Sequence, residues 1–465
     1  MRRKYLLLCF LFSIAGAQAQ TFQVDTITKT GPLNKRINLV YLGDGYTAVE
    51  QSKFIADVIA INNQLFNTVP FNRYKEYFNV FAIRVISVES GVKHARTASD
   101  CPSAGSHPVS NPNNYFGTRF DVGSIHRLVA PSNMSLMNTV LAFNFPEYDQ
   151  ALLVANTSFY GGSGGTVATS TTNFSAAEIM IHEIGHSFAS LADEYWAGPQ
   201  YATEKPNMTQ QSSASLVKWK NWIGSTGIGV FPFNGGPGWF KPANATCKME
   251  LLNRTFCAVC TETFVERIHT LAPPLDSYFP SNAGSVPVDG VTGFKINTIN
   301  PFPNTMRVRW NVNGLLQAQN TDTFTLAGSS LSNGNHNVLV SIADTTELSR
   351  ADNHLSLHTY NVSWNISIIT GISEPEIFKA ALRIFPNPFA NDLVVQYELE
   401  KRARIGIQLV AADGRRVQLL DERNQQPGLY RFPFSLREKK LSPGVYFAVF
   451  TINGATVARE LIRLE

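Results

Sequence analysis

A chain of 465 residues is too long for one ordinary core, so about three or four domains are expected. Charged residues are only 16% of the chain against 11% aromatics, which excludes a disordered or coiled-coil chain and suits an extracellular β-rich one. The net charge of +4 is small for this length and is not gathered into Lys/Arg blocks, so neither nucleic acid nor an acidic membrane surface is implied as a partner.

The chain opens "MRRKYLLLCFLFSIAGAQAQ". Arg2, Arg3 and Lys4 precede an apolar run that is short for a bilayer span, and Ala17-Gln18-Ala19 is a small-residue cleavage site. Residues 1–19 therefore read as a signal peptide and the mature chain as an exported one. No later segment is long and apolar enough to span a membrane. Cys9 leaves with the signal, and Cys101, Cys247, Cys257 and Cys260 remain. In an exported chain this even count favours disulfides, with three pairings open. Cys257-Ala258-Val259-Cys260 is only a weak hint of a second zinc site, because no further close Cys or His pair accompanies it.

"RINLVYLGDGYT" from Arg36 has strand length and closes on the turn signal Gly43-Asp44-Gly45. Phe54, Val58, Ile61 and Leu65 then recur at helical spacing. "FNVFAIRVIS" from Phe78 and "ALLVAN" from Ala151 are further strands, so the first part of the chain reads as a mixed α/β domain. "GGSGG" from Gly161 lacks the Lys-Ser/Thr of a phosphate loop and reads as a flexible turn. "TVATSTT" is strand-like and could pair with an extended substrate.

The chemistry is concentrated in "IHEIGHSFASLADEY", Ile181 to Tyr195. Side chains four apart on a helix share one face, about 6 Å apart along the axis, so His182 and His186 can aim at one ion. Glu183 flanks that face, where it can bond a metal-bound water and act as general base and acid. Ser175 as N-cap with Glu178 three residues on has the spacing of a capping box. A catalytic zinc keeps three protein ligands and an open position. If the helix continued, Asp193 would lie about 16 Å along the axis from His182, so the chain must turn back near Ala189-Ser190. Asp193 is then favoured as third ligand, with Glu194 as the alternative ligand or as a carboxylate that orients a ligand imidazole. Tyr195 could donate to the oxyanion, or serve only as a structural aromatic closing the turn.

"LGDGYT", "HEIGHSFASLADEY" and "CKMELLNRTFCAVC" from Cys247 together resemble the bacterial IgA-peptidase family of zinc metallopeptidases, over about residues 34 to 272. That resemblance implies a metzincin-like fold, one catalytic Zn2+, and a methionine turn carried onto Met249 beneath the metal. Family members often have glycine after the second histidine, whereas this chain has Ala189 and Ser190.

After Pro273-Pro274 come short runs rich in β-branched and aromatic residues, among them "FKINTI", "MRVRWNV", "DTFTLA", "HNVLVSIAD" and "HTYNVSWNIS". They read as an Ig-like β-sandwich over residues 273–372, in which His336, His354 and His358 are ordinary core or polar-face histidines. A linker and a further small antiparallel sandwich fill residues 373–465, with Asp413-Gly414 and Asn453-Gly454 as hairpin turns. Pro386-Asn387-Pro388-Phe389, Asp413-Gly414-Arg415 and Leu441-Ser442-Pro443-Gly444-Val445-Tyr446 resemble the C-terminal sorting domain of proteins exported by the type IX secretion system. That resemblance implies a tail read as an address by the outer-membrane machinery.

The expected architecture is thus an α/β (α+β), metzincin-like metallopeptidase domain over residues 20–272, followed by two all-β sandwich domains. The expected activity is that of a secreted or outer-membrane surface zinc endopeptidase acting on protein or peptide substrates. Two other functions stay open: a surface-displayed binding or adhesion protein on a degenerate peptidase scaffold, and a zinc amidase acting on cell wall.

Overall fold

The computed structural model describes residues 21–288, 290–332, 334–368, 382–411, 414–439, 441 and 444–464. The expected signal peptide, the linker residues 373–381 and Asp413 of one hairpin lie outside them. The chain divides into two compact units.

The first unit is built on a six-stranded sheet of β1 (Val24–Thr28), β2 (Ile37–Asp44), β3 (Phe78–Ile83), β4 (Gln150–Ala155), β5 (Gly162–Ser163) and β6 (Ala168–Thr171). Their order is β1-β3-β2-β4-β6-β5. The four inner strands are parallel, and β1 and β5 close the edges antiparallel. Parallel strands covered on both faces should be apolar throughout, and every residue of β2 is buried. Alternate side chains feed two cores. Leu39, Tyr41, Val80, Leu152 and Val154 pack with Phe54 and Val58 of α1 (Gln51–Leu65) and Ile181 and Ile184 of α3 (Ala176–Ser187). Val40, Leu42, Phe81 and Leu153 pack with Met137, Val140 and Leu141 of α2 (Met134–Asn144) on the opposite face.

Two expectations about the approach to α3 are corrected. The glycine-rich stretch read as a flexible turn supplies β5. The "TVATSTT" strand, β6, is covered by β4 and β5, so its own edge is not open to an added strand. Even β5 is partly covered, because its Gly162 bridges to Leu128.

The unit is completed by the hairpin β7 (Phe231–Phe233) and β8 (Gly236–Lys241), and by α4 (Ala258–Leu271). Two later stretches, residues 299–306 and 344–359, also belong to it. The second of these carries α5 (His354–His358). His354 and His358 are therefore tied to the α/β unit through Glu266 of α4: His354 Nδ1 lies 2.5 Å and His358 Nε2 2.8 Å from its carboxylate.

The second unit holds the remaining strands. β9 (Leu275–Phe279), β11 (Val291–Thr298) and β14 (Thr323–Ala327) form one sheet. β10 (Val286–Val288), β12 (Met306–Val312), β13 (Leu315–Gln319), β15 (Gly334–Asp344) and β16 (Tyr360–Ile368) form another. Strict alternation in β16 buries Val362, Trp364 and Ile366, and Trp364 and Trp310 stack beside Phe294. The tail contributes a three-stranded and a four-stranded sheet around Leu393, Val395, Ile405, Ile407 and Phe450. Its last hairpin turns at Asn453 and Gly454, both at positive φ as a two-residue turn requires.

Candidate active site

α3 lies against the sheet through Ile181 and Ile184 and turns His182, Glu183 and His186 toward a cleft of about 1190 Å³. Ser175 is the N-cap residue, as expected, but the capping box is corrected. Ser175 makes no side-chain cap; Asn173 holds the turn instead, its side chain accepting from Ser175 N–H at 3.1 Å. Glu178 is engaged elsewhere, by the Lys248 ammonium and by Asn253 N–H.

At its end the helix breaks where reach demanded. Ser190 takes φ 56, and its N–H still bonds His186 O at 3.1 Å, while Leu191 N–H returns to Gly185 O at 2.9 Å. The reversal brings Asp193 back over the helix. Asp193 Oδ1 lies 3.0 Å from His182 Nε2 and 3.3 Å from His186 Nε2, and the two nitrogens are 3.2 Å apart. His182 Nδ1 donates to Lys248 O at 2.9 Å and His186 Nδ1 to Leu191 O at 2.8 Å. Each outer N–H is thereby fixed, and both Nε2 lone pairs face inward.

That donor set fits a metal. Zinc–nitrogen and zinc–oxygen bonds of about 2.0–2.1 Å in a tetrahedron place ligand atoms roughly 3.3 Å apart, close to the three separations found here. Two bare imidazole nitrogens at 3.2 Å also repel unless a cation or proton lies between them. In the metal-free chain burial opposes charge on His182, but the Asp193 hydrogen bond and the Glu183 and Asp193 charges outweigh it and raise its pKa to about 9. Burial would raise the Asp193 carboxyl, but the hydrogen bonds and charges of the two histidines outweigh it and hold the carboxyl far below the usual carboxylate range.

Glu183 Oε2 is 3.9 Å from His186 Nε2, beside the convergence point rather than in it. Burial raises its carboxyl above the ordinary value, against the pull of both histidines. Tyr195 lines the same cleft, and its hydroxyl accepts from Arg127 Nη2 at 3.2 Å while the guanidinium lies over its ring. Gly164 abuts His186 so closely that a Cβ would sit 2.5 Å from His186 Cβ, which accounts for glycine at that position.

Met249 is fully buried beneath the helix, and a Cβ at Gly185 would meet its sulfur at 2.6 Å. Its carbonyl accepts from Glu194 N–H at 2.8 Å, fixing the return strand just after Asp193. The Glu194 side chain points away from both histidines. It meets Asn207 at 3.2 Å, Cys260 Sγ at 3.1 Å and Cys257 Sγ at 3.8 Å. It therefore orients neither imidazole, and burial drives its carboxyl well above the usual range.

The disulfide expectation is corrected: Cys101, Cys247, Cys257 and Cys260 are all free thiols. Cys247, Cys257 and Cys260 gather around Glu194, with Cys247 and Cys260 sulfurs 3.7 Å apart, and Cys101 lies in a different cluster. An even count in the sequence thus conceals an odd grouping in space.

Residues 26–236 match the IgA Peptidase M64 family model, and residues 383–463 match the secretion system C-terminal sorting domain. The first span includes both histidines and Asp193 and ends before Met249. No curated protein matches the chain. Among solved structures, dimeric latent PorU from Porphyromonas gingivalis is 13% identical over 41% of this chain and 20% of that one, with a TM-score of 0.17. The Bacteroides ovatus mixed-linkage glucan utilization protein SGBP-B is 10% identical over 41% and 48%, with a TM-score of 0.17. The fibronectin(III)-like modules of Clostridium thermocellum CbhA are 10% identical over 40% and 92%, with a TM-score of 0.17. Likeness at that level carries no weight for fold or activity. By the two family matches, the chain carries an IgA peptidase M64 domain and, at its C-terminal end, a type IX secretion sorting domain that marks it for export to the cell surface or beyond.

Proposed function

We propose that the chain is a secreted zinc endopeptidase of metzincin-like design. The observation that carries this reading is the convergence of His182 Nε2, His186 Nε2 and Asp193 Oδ1 within 3.3 Å of one another, beside a buried glutamate in the cleft. Zinc held by these three residues would polarise the scissile carbonyl and acidify the attacking water.

The chain's own residues supply the rest. Glu183, with a carboxyl raised by burial yet drawn toward ionisation by its histidine neighbours, accepts the proton of the attacking water and delivers it to the leaving amine. Burial raises the Tyr195 phenol, so it stays protonated and available as a donor to the developing oxyanion. Arg127, stacked on that ring, holds it at the rim and adds positive charge there. Protein or peptide substrates follow from a peptidase site, and the sorting domain makes the type IX export machinery a partner.

Incubation with a diverse peptide library tests this reading. Cleavage that stops with a chelator and returns with added zinc is expected. A chain that binds zinc but cleaves no member of the library, with or without it, would contradict the reading.

A further inference from the structure

Between β3 and α2, residues 84–133 form little regular structure and are held by isolated bridges, including His94 to Ser110, Arg119 to Ala130, and Leu128 to Gly162 of β5. The apolar cluster of this segment is small: Val92, Phe120 and Val129 with Ala155 of β4. Asp44, at the end of β2, anchors its middle by accepting from Phe116 N–H at 3.1 Å and Thr118 N–H at 3.0 Å. Its outer part has another device.

His94, Cys101, Asp121 and His126 bring four donor atoms together. Cys101 Sγ lies 3.7 Å from His94 Nε2, 3.6 Å from His126 Nδ1 and 3.3 Å from Asp121 Oδ1. Asp121 Oδ1 lies 3.0 Å from His126 Nδ1 and 3.6 Å from His94 Nε2. A tetrahedral zinc with a bond of about 2.3 Å to sulfur and about 2.0–2.1 Å to nitrogen or oxygen sets these edges at roughly 3.3–3.6 Å. His94 is fully buried. Its Nδ1 contacts Pro108 O at 3.0 Å, and a carbonyl can only accept, so the proton is on Nδ1 and Nε2 turns a lone pair inward. Outside the cluster, His126 Nε2 pairs with His107 Nδ1 at 3.2 Å, which orients that ring as well.

Without a metal these groups are joined only through a weak thiol donor, because the Cys101 S–H is shared between Asp121 Oδ1 at 3.3 Å and the inward lone pair of His94 Nε2 at 3.7 Å. Asp121 Oδ1 faces the inward lone pair of His94 while also receiving His126 and the thiol, and Asp121 Oδ2 is taken by Thr97 N–H at 2.8 Å. One cation would satisfy all four donors. We propose that His94, Cys101, Asp121 and His126 form a second, structural metal site of the zinc type, distinct from the His182/His186/Asp193 set. Two imidazoles, a thiolate and a carboxylate in tetrahedral array select zinc over calcium or magnesium, which demand oxygen ligands and higher coordination.

The site has a mechanical consequence. His126 precedes Arg127, whose carbonyl accepts from Gly162 N–H at 3.0 Å, and Val129 N–H bonds Gly162 O at 3.2 Å. Ile125, Arg127 and Leu128 line the cleft. The ion would clamp the loop that presents Arg127 to Tyr195. The ligand set stands apart from the peptidase reading; only this catalytic consequence rests on it.

The test uses the full chain carrying His182→Ala and His186→Ala, so that failure of the catalytic-site reading cannot affect it. Zinc per chain is measured after dialysis against zinc-free buffer, before and after adding Cys101→Ser. A fall of about one zinc per chain is expected, along with loss of one thiolate's share of the charge-transfer absorption when cobalt(II) replaces zinc. The zinc-induced rise in Tm should shrink in parallel. His126→Gln, at a ring less buried than that of His94, provides the same comparison if Cys101→Ser fails to fold by circular dichroism. Unchanged zinc content and an unchanged cobalt spectrum in a folded variant would overturn the proposal.

Discussion

Asp193 and Glu194 are adjacent in sequence but have opposite fates: one carboxylate returns to two imidazoles and the other sinks among three thiols. Asp193→Asn should therefore weaken zinc binding at the active site by more than the roughly 10–100-fold typical of losing an outer-shell partner. Glu194→Gln should leave that affinity nearly unchanged. Competition with a chromophoric chelator measures both, and the reverse ranking would exchange their roles. Protons compete with the metal as well. Because His182 in the metal-free chain is raised to about 9 and zinc needs the neutral imidazole, affinity should climb as pH rises from 6 to 9, on the order of tenfold per unit. Titration at several pH values reads this directly, and a flat profile would contradict it. Spacing alone places His182, Glu183 and His186 together on a helix, and reach requires a turn after them; the preference for Asp193 over Glu194 rests on a short carboxylate suiting a tight return and on a likeness to metzincin endings. The destination of Glu194 was not legible, because Cys247, Cys257 and Cys260 lie 53 to 66 residues further on. His94, Cys101, Asp121 and His126 have spacings that match no short motif; only the folded loop brings them together.

The helix end is where element-scale geometry meets the site. Ser190 adopts a left-handed conformation that costs a non-glycine residue about 1–2 kcal/mol, so Ser190→Gly should leave zinc binding intact and recover part of that amount in urea unfolding. Gly185→Ala should do the opposite. The added Cβ would press on the buried Met249 sulfur, with a cost on the order of 1–3 kcal/mol and a displaced return strand. A Gly185→Ala chain as stable as the parent would mean Met249 yields freely. The strand and helix cores followed the hydrophobic pattern: Phe54, Val58, Ile61 and Leu65 are all buried on α1. Ser175 takes the N-cap position, but the capping box does not form, because Asn173, two residues earlier, offers the backbone a competing side-chain turn and Glu178 is held by Lys248. The two residues of β5 were too short to show a period.

At the scale of the whole molecule, composition marked the change from α/β to all-β near Pro274, yet the chain returns to its first unit twice. Polar partners explain why. Asp344 accepts from Tyr74 at 2.5 Å and pairs with His269 at 2.9 Å, and Glu266 binds His354 and His358. A chain ending at Ala272 strands Glu266, His269 and Tyr74 without these partners, so it should be less stable than one ending at Ile368 by several kcal/mol. Comparable Tm values would contradict this. The same network sets a pH window. Burial opposes charge on Glu266, but the two histidines lower its carboxyl, so its contribution is present above the ordinary value of about 4.3 and fades as pH falls toward the lowered one. His354 is raised against burial by Glu266, so its contribution is complete below about 6.5 and lost as pH rises through the raised value. Tm should be highest between those limits.

In the proposed mechanism Glu183 moves the proton beside a metal held by His182, His186 and Asp193. Glu183→Gln, in the full chain, tests it most directly when zinc content and cleavage of a susceptible peptide are measured on the same sample. The expected result is unchanged zinc and Tm with kcat/KM reduced by at least about a hundredfold, the lower end of general acid–base contributions. Cleavage at the parent rate with the same zinc content would contradict it.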